Sequence, residues 1–590
     1  VTARRGAGLA VVIGVLVAAA LLSPGLGRAP FDDPGEGQHA EIARELVGGS
    51  WLTLRLNGVR YFDKPPLLYW LDATSFRLFG FTEWAARLAP LLGALLAVAA
   101  TTLLGARLLG PGGGVLAGTA LVSCALFAAF ARYVRPETLF VAAIQWGFTG
   151  LLLTRPASMN PGPAGSWALA GCAALGVASL AKDPLGLIGP LAAIGAARAL
   201  AGRLRPVGAW LPRSGVGLMA LIGLGWYAIV GLSERSFLWY TVVDNHLLNV
   251  VRMRAFPDED VPLGALEFLA AAAFGAFPWI LAAGAAVVAL ARRRAWREPA
   301  EIPWVALALW AVGVLVLFTL SPFKLPHYGL PAYPALALLA ARAWQDAAAR
   351  PRPLLAAHLV AMGLAGAGCA WAALHDGQAF TAAVFGISDV YSRKEAAWGQ
   401  ASPYPSWSVL QPLVASAAVI LLASAAALAV AAARRSARAG AAAVALAMLL
   451  MVPVVSTGLA VTSSARAVSG MAQEIRGRLA PDDVLVVEGP IENAGAVEFY
   501  SGRRPALLDG ERSVLGIGAT FPDAAATFWS SARFARAWSS PRPPYLLTTR
   551  EPAQSIVAVL PPGSARLLLA QNGRWLYGHA PVADGPSATR

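Results

Sequence analysis

The sequence predicts a polytopic α-helical membrane protein of about 13 transmembrane helices, followed by a small C-terminal extracytoplasmic α/β domain. Three observations predict it. The 590 residues are 57% hydrophobic and only 14% charged, where soluble domains carry about 25% charged residues. Short, almost purely basic loops alternate with loops of mixed polar composition. After residue 462 the long apolar runs give way to strand-like and helix-like alternation.

Reading for runs of about 20 mostly apolar residues gives candidate spans near 7–26, 86–106, 113–131, 136–154, 165–181, 184–201, 213–232, 264–291, 303–320, 329–345, 353–374, 409–432 and 440–462. Arg4 and Arg5 precede the first run, and no convincing small-residue cleavage site follows it. It reads as a retained span with a cytoplasmic N-terminus. Alternate loops then carry Arg107; Arg155; Arg203, Arg205 and Arg213; Arg292, Arg293, Arg294 and Arg297; Arg342, Arg350 and Arg352; and Arg434, Arg435 and Arg438. Cytoplasmic loops are enriched in this way. The opposite loops, 27–85, 132–136, 182–183, 233–262, 321–328 and 375–408, mix acids, bases, His, Tyr and Pro. Every chemically interesting segment falls on that outer face.

The net charge of +14 is spread through these loops rather than gathered in one tract, so nucleic acid is excluded as a partner. Cys124, Cys172 and Cys369 lie inside apolar runs, with no CxxC or Cys/His cluster for a disulfide framework or zinc site.

The first outer loop, 27–85, is the most informative segment. Residues 36–47 have helical spacing: Ala40, Ile42, Ala43, Leu46 and Val47 share one face and Glu41, Arg44 and Glu45 the other. That pattern predicts a helix lying on the membrane. Asp32, Asp33 and Glu36 crowd its start, more acids than helix capping needs, which leaves room for a catalytic or cation-binding carboxylate. Residues 57–70 then set Arg60, Asp63 and Lys64 between aromatics and two prolines. Snorkelling cations in an aromatic belt explain Tyr61, Phe62, Tyr69 and Trp70, but not Lys64-Pro65-Pro66 beside Asp63.

The other outer loops supply Arg132, Arg135 and Glu137; Lys182, Asp183 and Pro184; Asp244 and His246, continuing to the acids at 258–260; and Lys324, His327 and Tyr328. A lipid-phosphate ligand calls for such cations as charge-assisted donors. Beyond 462, residues 466–479 read as an amphipathic helix, 482–488, 496–502, 545–549 and 565–570 as strand-like, and 523–538 as helical. The division is 1–462 and 463–590.

Three stretches carry a family resemblance: His39-Ala-Glu-Ile-Ala-Arg-Glu-Leu46, Leu56-Asn-Gly-Val-Arg-Tyr-Phe-Asp-Lys-Pro-Pro-Leu-Leu-Tyr-Trp70 and Phe79-Gly-Phe-Thr-Glu-Trp-Ala-Ala-Arg-Leu88. With Ala181-Lys-Asp-Pro-Leu-Gly186 and residues 323–334, the chain resembles the bacterial aminoarabinose transferases of lipid A and the protein O-mannosyltransferases, polytopic GT-C glycosyltransferases. The resemblance implies an inverting transfer from a polyprenyl-phosphate-linked sugar to an envelope acceptor, on the periplasmic face of the bacterial inner membrane. The acceptor is a lipid A-like lipid, a glycan or a protein.

It also implies a set of roles. Asp33, Glu36 and Glu137 are the candidate catalytic carboxylates. Lys64, Arg60, Arg135, Lys324, His327 and Tyr328 are the candidate donor-phosphate ligands. Asp63, Lys182, Asp183 and His246 contact the acceptor or the loops. Gly35 stands where relatives carry the acidic motif's Asp, and Gln38-His39 where Arg-Tyr is common, so which carboxylate matters stays open. A divalent cation at Asp63 or Glu36 with a loop His is one option, and no cofactor is required. A flippase for lipid-linked sugars is the alternative, against which stand the absence of an internal repeat and the one-sided charges.

Overall fold

The computed structural model describes residues 2–154, 164–234, 236–249, 251–257, 261–388, 393, 404–508 and 513–579. Arg155, the acids at 258–260 and, in loop 375–408, residues 389–392 and 394–403 lie outside the described residues. Each of the apolar runs folds as a helix or a broken helix pair. Among the described residues, 7 helices are long and apolar enough to cross a membrane. A further pair, Ala265–Gly275 and Trp279–Arg292, is bent by 105° about Phe277 and Pro278, where Pro278 cannot continue a helical hydrogen-bond ladder. Four shorter apolar helices, Pro111–Val122, Glu137–Leu153, Gly165–Ala181 and Leu185–Leu200, pack among them. Small residues let the helix backbones approach: a Cβ at Gly150 would stand 2.6 Å from the Cα of Gly171.

The first outer loop sits between this bundle and the C-terminal residues. Helix Gly37–Gly48 buries Ala40, Ile42, Ala43 and Leu46 as the spacing predicts. Its other face is not laid on a membrane or in water. Glu41 is fully buried and takes two hydrogen bonds from Arg44, at 2.7 Å each. Arg44 also reaches Glu498, at 3.2 Å. The polar side that reads as amphipathic in sequence is an interface with the C-terminal unit, where Arg44 pairs with Glu498 and Arg504 with Glu45.

Strands β1 (Arg55–Leu56) and β2 (Val59–Arg60) form a hairpin turned by Asn57-Gly58. Both turn residues have positive φ, +53° and +75°, the requirement that favours Asn-Gly in two-residue hairpins. The hairpin tip also joins the C-terminal unit. Asn57 donates to Glu498 at 2.7 Å, and the Gly58 N–H donates to Glu45 at 3.0 Å. Pro65 and Pro66 then start helix Leu67–Phe79, where missing N–H groups cost nothing.

The C-terminal unit is a six-stranded sheet in the order β5-β4-β3-β6-β8-β7, with β3 Leu485–Glu488, β4 Ala506–Leu508, β5 Phe528–Trp529, β6 Tyr545–Thr548, β7 Ala565–Gln571 and β8 Arg574–His579. β3 to β6 pair in parallel and β7–β8 form an antiparallel edge hairpin. The strands near 485, 545 and 565 lie where the sequence predicts. The segment 496–502 does not: it belongs to helix Glu492–Ser501. A parallel β3–β4 pair needs a crossover, and a helix normally provides it. The helix expected over 523–538 is reduced to Ser531–Trp538, because 528–529 pair as an edge strand.

Candidate active site

Two cavities meet where the outer loops converge on the C-terminal unit. The first, of about 60 Å³, is polar: Gln38, His39, Tyr61, Asp63, Lys64, Arg135, Glu137, Lys182, Leu325, His327, Tyr328, Glu492 and Val514 line it. The second, of about 900 Å³, is apolar and runs among several of the long helices. Its walls include Phe130, Phe274, Phe277, Trp371, Trp407, Leu421 and Met448. Arg135 and His327 line both, so the polar and the apolar cavity adjoin there.

Local sequence explains how the polar lining is held. Lys64 is fixed by the two prolines after it, since a residue before proline is driven to extended backbone. It pairs with Asp63. Burial alone would raise the Asp63 carboxyl, but the Lys64 ammonium outweighs it and holds the group below its ordinary value. Lys182 sits in the turn between two apolar helices, 3.2 Å from Glu137 Oε1 and over the Tyr328 ring at 4.9 Å. Burial lowers the Lys182 ammonium and Glu137 partly restores it. His327 Nε2 lies 3.3 Å from the same oxygen. Burial holds the His327 imidazole well below its ordinary value despite Glu137, which favours its neutral form. Glu137 Oε2 is buried and makes no hydrogen bond within the described residues.

His39 is the least expected member. Its Nδ1 meets the Tyr69 hydroxyl at 2.9 Å, and Tyr69 reaches Tyr61 at 3.4 Å. Burial, with Arg135 nearby, pushes the imidazole down to about 3. It is neutral at any physiological pH and serves as a hydrogen-bonding group.

The structure therefore brings together Asp63, Lys64, Arg135, Glu137, Lys182, His327 and Tyr328. It does not bring in the other candidates. Glu36 accepts from Arg87 at 2.8 and 2.6 Å and from the N–H groups of Asp32 and Val134, both at 3.0 Å. Arg87 also donates to the carbonyls of Leu26, Ala29 and Pro30. Glu36 and Arg87 are thus a buried clasp that folds the acidic segment. Asp33 faces the C-terminal unit, 2.6 Å from Arg574 and 3.5 Å from Asn493. Arg60 is taken by Glu234 and Asp523, over the Phe521 ring. Lys324 donates to the carbonyls of Thr319 and Ser321 at 3.1 and 2.7 Å, closing the end of the preceding helix. Asp183 bonds the Leu185 N–H and pairs with His246 at 3.1 Å, and neither lines the pocket.

That last pair gives a prediction. The Asp183 hydrogen bond raises the His246 imidazole above its ordinary value, with burial opposing. A group raised on folding stabilises most below its unfolded value, about 6.5, and that contribution is lost as pH rises through the folded value. The difference in thermal midpoint between wild type and His246→Gln is expected to be largest near about pH 5 and to vanish towards about pH 9. The two side chains are 28% and 32% exposed, so the difference is small. A difference that does not change with pH contradicts the pairing.

The divalent cation considered at Asp63 or Glu36 finds no such ligand set there. Among the described residues, the group with metal-ligand spacing is Glu41, Glu45 and Glu498. Arg44, Arg504 and Asn57 occupy its oxygens, which makes it an ion-pair cluster tying the first loop to the C-terminal unit.

Sequence reasoning missed Leu325, Glu492 and Val514 as site residues, and Gln38, His39 and Tyr61 entered only as motif positions. Glu492 and Val514 lie over 350 residues from Glu137 along the chain, and nothing local marks them. The Asn57-Gly58 turn was a legible signal that the loop doubles back as a hairpin.

Comparisons with known proteins follow this geometry. Residues 63–226 match the family model described as dolichyl-phosphate-mannose-protein mannosyltransferase. Over 329 residues the chain is 27% identical to the undecaprenyl phosphate-α-4-amino-4-deoxy-L-arabinose arabinosyl transferase of Enterobacter sp. (strain 638), covering 54% of this chain and 57% of that one. Over 315 residues it is 28% identical to the corresponding protein of Pseudomonas aeruginosa (strain PAO1), covering 52% and 54%. In these matches the chain spans about half the length of the curated relatives. The crystal structure of ArnT from Cupriavidus metallidurans bound to undecaprenyl phosphate superposes with a TM-score of 0.78 at 22% identity, covering 98% of this chain and 99% of that one. The apo form of the same protein gives 0.76 at 23% identity, covering 96% and 97%. The chain thus has the fold of the Cupriavidus metallidurans ArnT, and over about half of its length it is similar in sequence to the undecaprenyl phosphate-α-4-amino-4-deoxy-L-arabinose arabinosyl transferases.

Proposed function

We propose that this chain is a membrane glycosyltransferase that moves a sugar from a polyprenyl-phosphate donor to an envelope acceptor on the periplasmic face of the bacterial inner membrane. The observation that carries the reading is the junction of the cavities at Arg135 and His327. The donor's phosphate occupies the polar pocket and its isoprenoid tail the apolar cavity. Lys64, Arg135 and Lys182 supply positive charge, with His327 and Tyr328 as neutral donors. The short basic loops support a cytoplasmic N-terminus, and with that orientation the pocket and the C-terminal α/β unit face the periplasm.

The transfer inverts the sugar's anomeric centre. An acceptor oxygen attacks the anomeric carbon from the face opposite the phosphate. The new C–O bond forms as the bond to the phosphate oxygen breaks, and the polyprenyl phosphate leaves with the bonding pair. Cations preorganised around the leaving oxygens stabilise the charge that develops there. Glu137 Oε2, buried and without a hydrogen-bond partner within the described residues, accepts the hydroxyl proton when the acceptor is an alcohol. A lipid phosphate acceptor arrives ionised and needs no base. The sugar in the relatives' names, 4-amino-4-deoxy-L-arabinose, and lipid A, the acceptor that the sequence resemblance implies, are the first pair to test.

Purified protein in lipid nanodiscs, given undecaprenyl phosphate carrying labelled 4-amino-4-deoxy-L-arabinose and lipid A, is expected to move the label covalently onto lipid A. Label that stays on the donor with lipid A and with a panel of envelope lipids, glycans and secreted proteins contradicts the reading. Movement of intact donor across the bilayer without bond cleavage would make the protein a flippase instead.

A further inference from the structure

We propose that the C-terminal unit is part of the reaction site: Glu492, together with Gln38 facing it from the first loop, forms a subsite that accepts hydrogen bonds from the sugar ring of the donor. The proposal rests on the transferase reading and deepens it. Glu492 is 3% exposed, and its wall of the pocket comes from a different layer of the molecule than Lys64, Arg135 and Lys182. It opens helix Glu492–Ser501 just past the carboxyl end of β3. There the sheet order divides, with β4 and β5 to one side and β6 to the other. Open α/β sheets bind ligands outside the carboxyl ends of their strands at such a division.

The position is rigidly set. A Cβ at Gly495 would stand 2.6 Å from the Cα of Gln38, and one at Gly37 2.9 Å from the Cα of Ala496. The helices that carry Gln38 and Glu492 therefore pack backbone against backbone. Asn493, next to Glu492, and Arg574 hold Asp33 of the same loop.

The chemistry divides between the two walls. Asp63 is committed to Lys64, and Glu137 Oε1 to Lys182 and His327. Those acids orient the groups that meet the phosphate. A sugar instead presents hydroxyl or ammonium donors, which call for acceptors. Gln38 Oε1 is such an acceptor: the side chain is 5% exposed, and the oxygen is buried with no hydrogen-bond partner within the described residues. Buried acceptors normally find a donor, and in this pocket the donor comes from the ligand. Glu492 adds a carboxylate for a charge-assisted bond.

The test measures binding of two lipids to the full chain in nanodiscs: undecaprenyl phosphate, and undecaprenyl phosphate bearing 4-amino-4-deoxy-L-arabinose. Glu492→Gln and Gln38→Leu are each expected to weaken the sugar-bearing lipid at least about tenfold. Both should leave the sugarless lipid within about twofold of wild type. Glu492→Asp should recover part of the loss. Equal weakening of both lipids would assign the residues a structural role and overturn the subsite, as would no change in either. If wild type binds both lipids and the variants leave their ratio unchanged, the subsite falls and the transferase reading stands. If wild type binds neither, the transferase reading falls and takes the subsite with it.

Discussion

Lys64→Ala is expected to reduce sugar transfer at least about 100-fold while the protein still inserts and folds, a loss of the size seen when one preorganised donor to a developing oxyanion is removed. Lys64 lines the polar pocket with Arg135 and Lys182, and its ammonium is held by Asp63 on backbone stiffened by Pro65 and Pro66. Truncation alone leaves the buried Asp63 carboxylate without its nearest cation, and an orphaned buried charge costs stability. The decisive variant is therefore the double substitution Lys64→Ala with Asp63→Asn, which removes both charges. It should match wild type in thermal midpoint and remain inactive, whereas Lys64→Arg should keep measurable transfer. Normal transfer by the double variant would remove Lys64 from the phosphate site.

Glu36→Gln is expected to act in the opposite way, through stability. Glu36 and Arg87 are 1% and 4% exposed at their side chains. Removing one partner of such a pair costs about 3–5 kcal/mol, because the other charge is left buried. Arg87 would keep the carbonyls of Leu26, Ala29 and Pro30 but lose the carboxylate that balances it. The Asp32 and Val134 N–H groups would lose ionised acceptors as well. The variant should accumulate poorly and show a clearly lowered thermal midpoint in detergent. A Glu36→Gln protein as stable as wild type but unable to transfer sugar would restore Glu36 to the chemistry.

These two residues show what was legible in the sequence. Hydropathy found the helices because burial in lipid or protein demands apolar runs whatever the chemistry. That Lys64 lines the polar pocket was legible because snorkelling cations in an aromatic belt do not account for a lysine before two prolines. Glu137, Lys182 and His327 were legible for a related reason: each stands at the end of an apolar helix, on the same face. Glu36 and Asp33 misled because three acids in five residues look alike whether they bind a substrate or a distant arginine. Their partners Arg87 and Arg574 lie 51 and 541 residues away, and sequence alone does not reveal such pairings. Arg60 and Lys324 misled similarly, since a cation on the outer face is recruited as readily by Glu234 or by free helix carbonyls as by a phosphate. The polar face of helix Gly37–Gly48 read as facing solvent because the helix that covers it, Glu492–Ser501, lies more than 440 positions later.

The account depends most on the polar pocket holding the head group of a polyprenyl phosphate. An experimental structure of the purified protein with undecaprenyl phosphate tests it directly. The phosphate is predicted within hydrogen-bonding reach of Lys64 and Arg135, with the isoprenoid tail running past His327 into the apolar cavity. A phosphate bound elsewhere, with Lys64, Arg135 and Lys182 still engaged only with Asp63, Glu137 and their other protein partners, would contradict it.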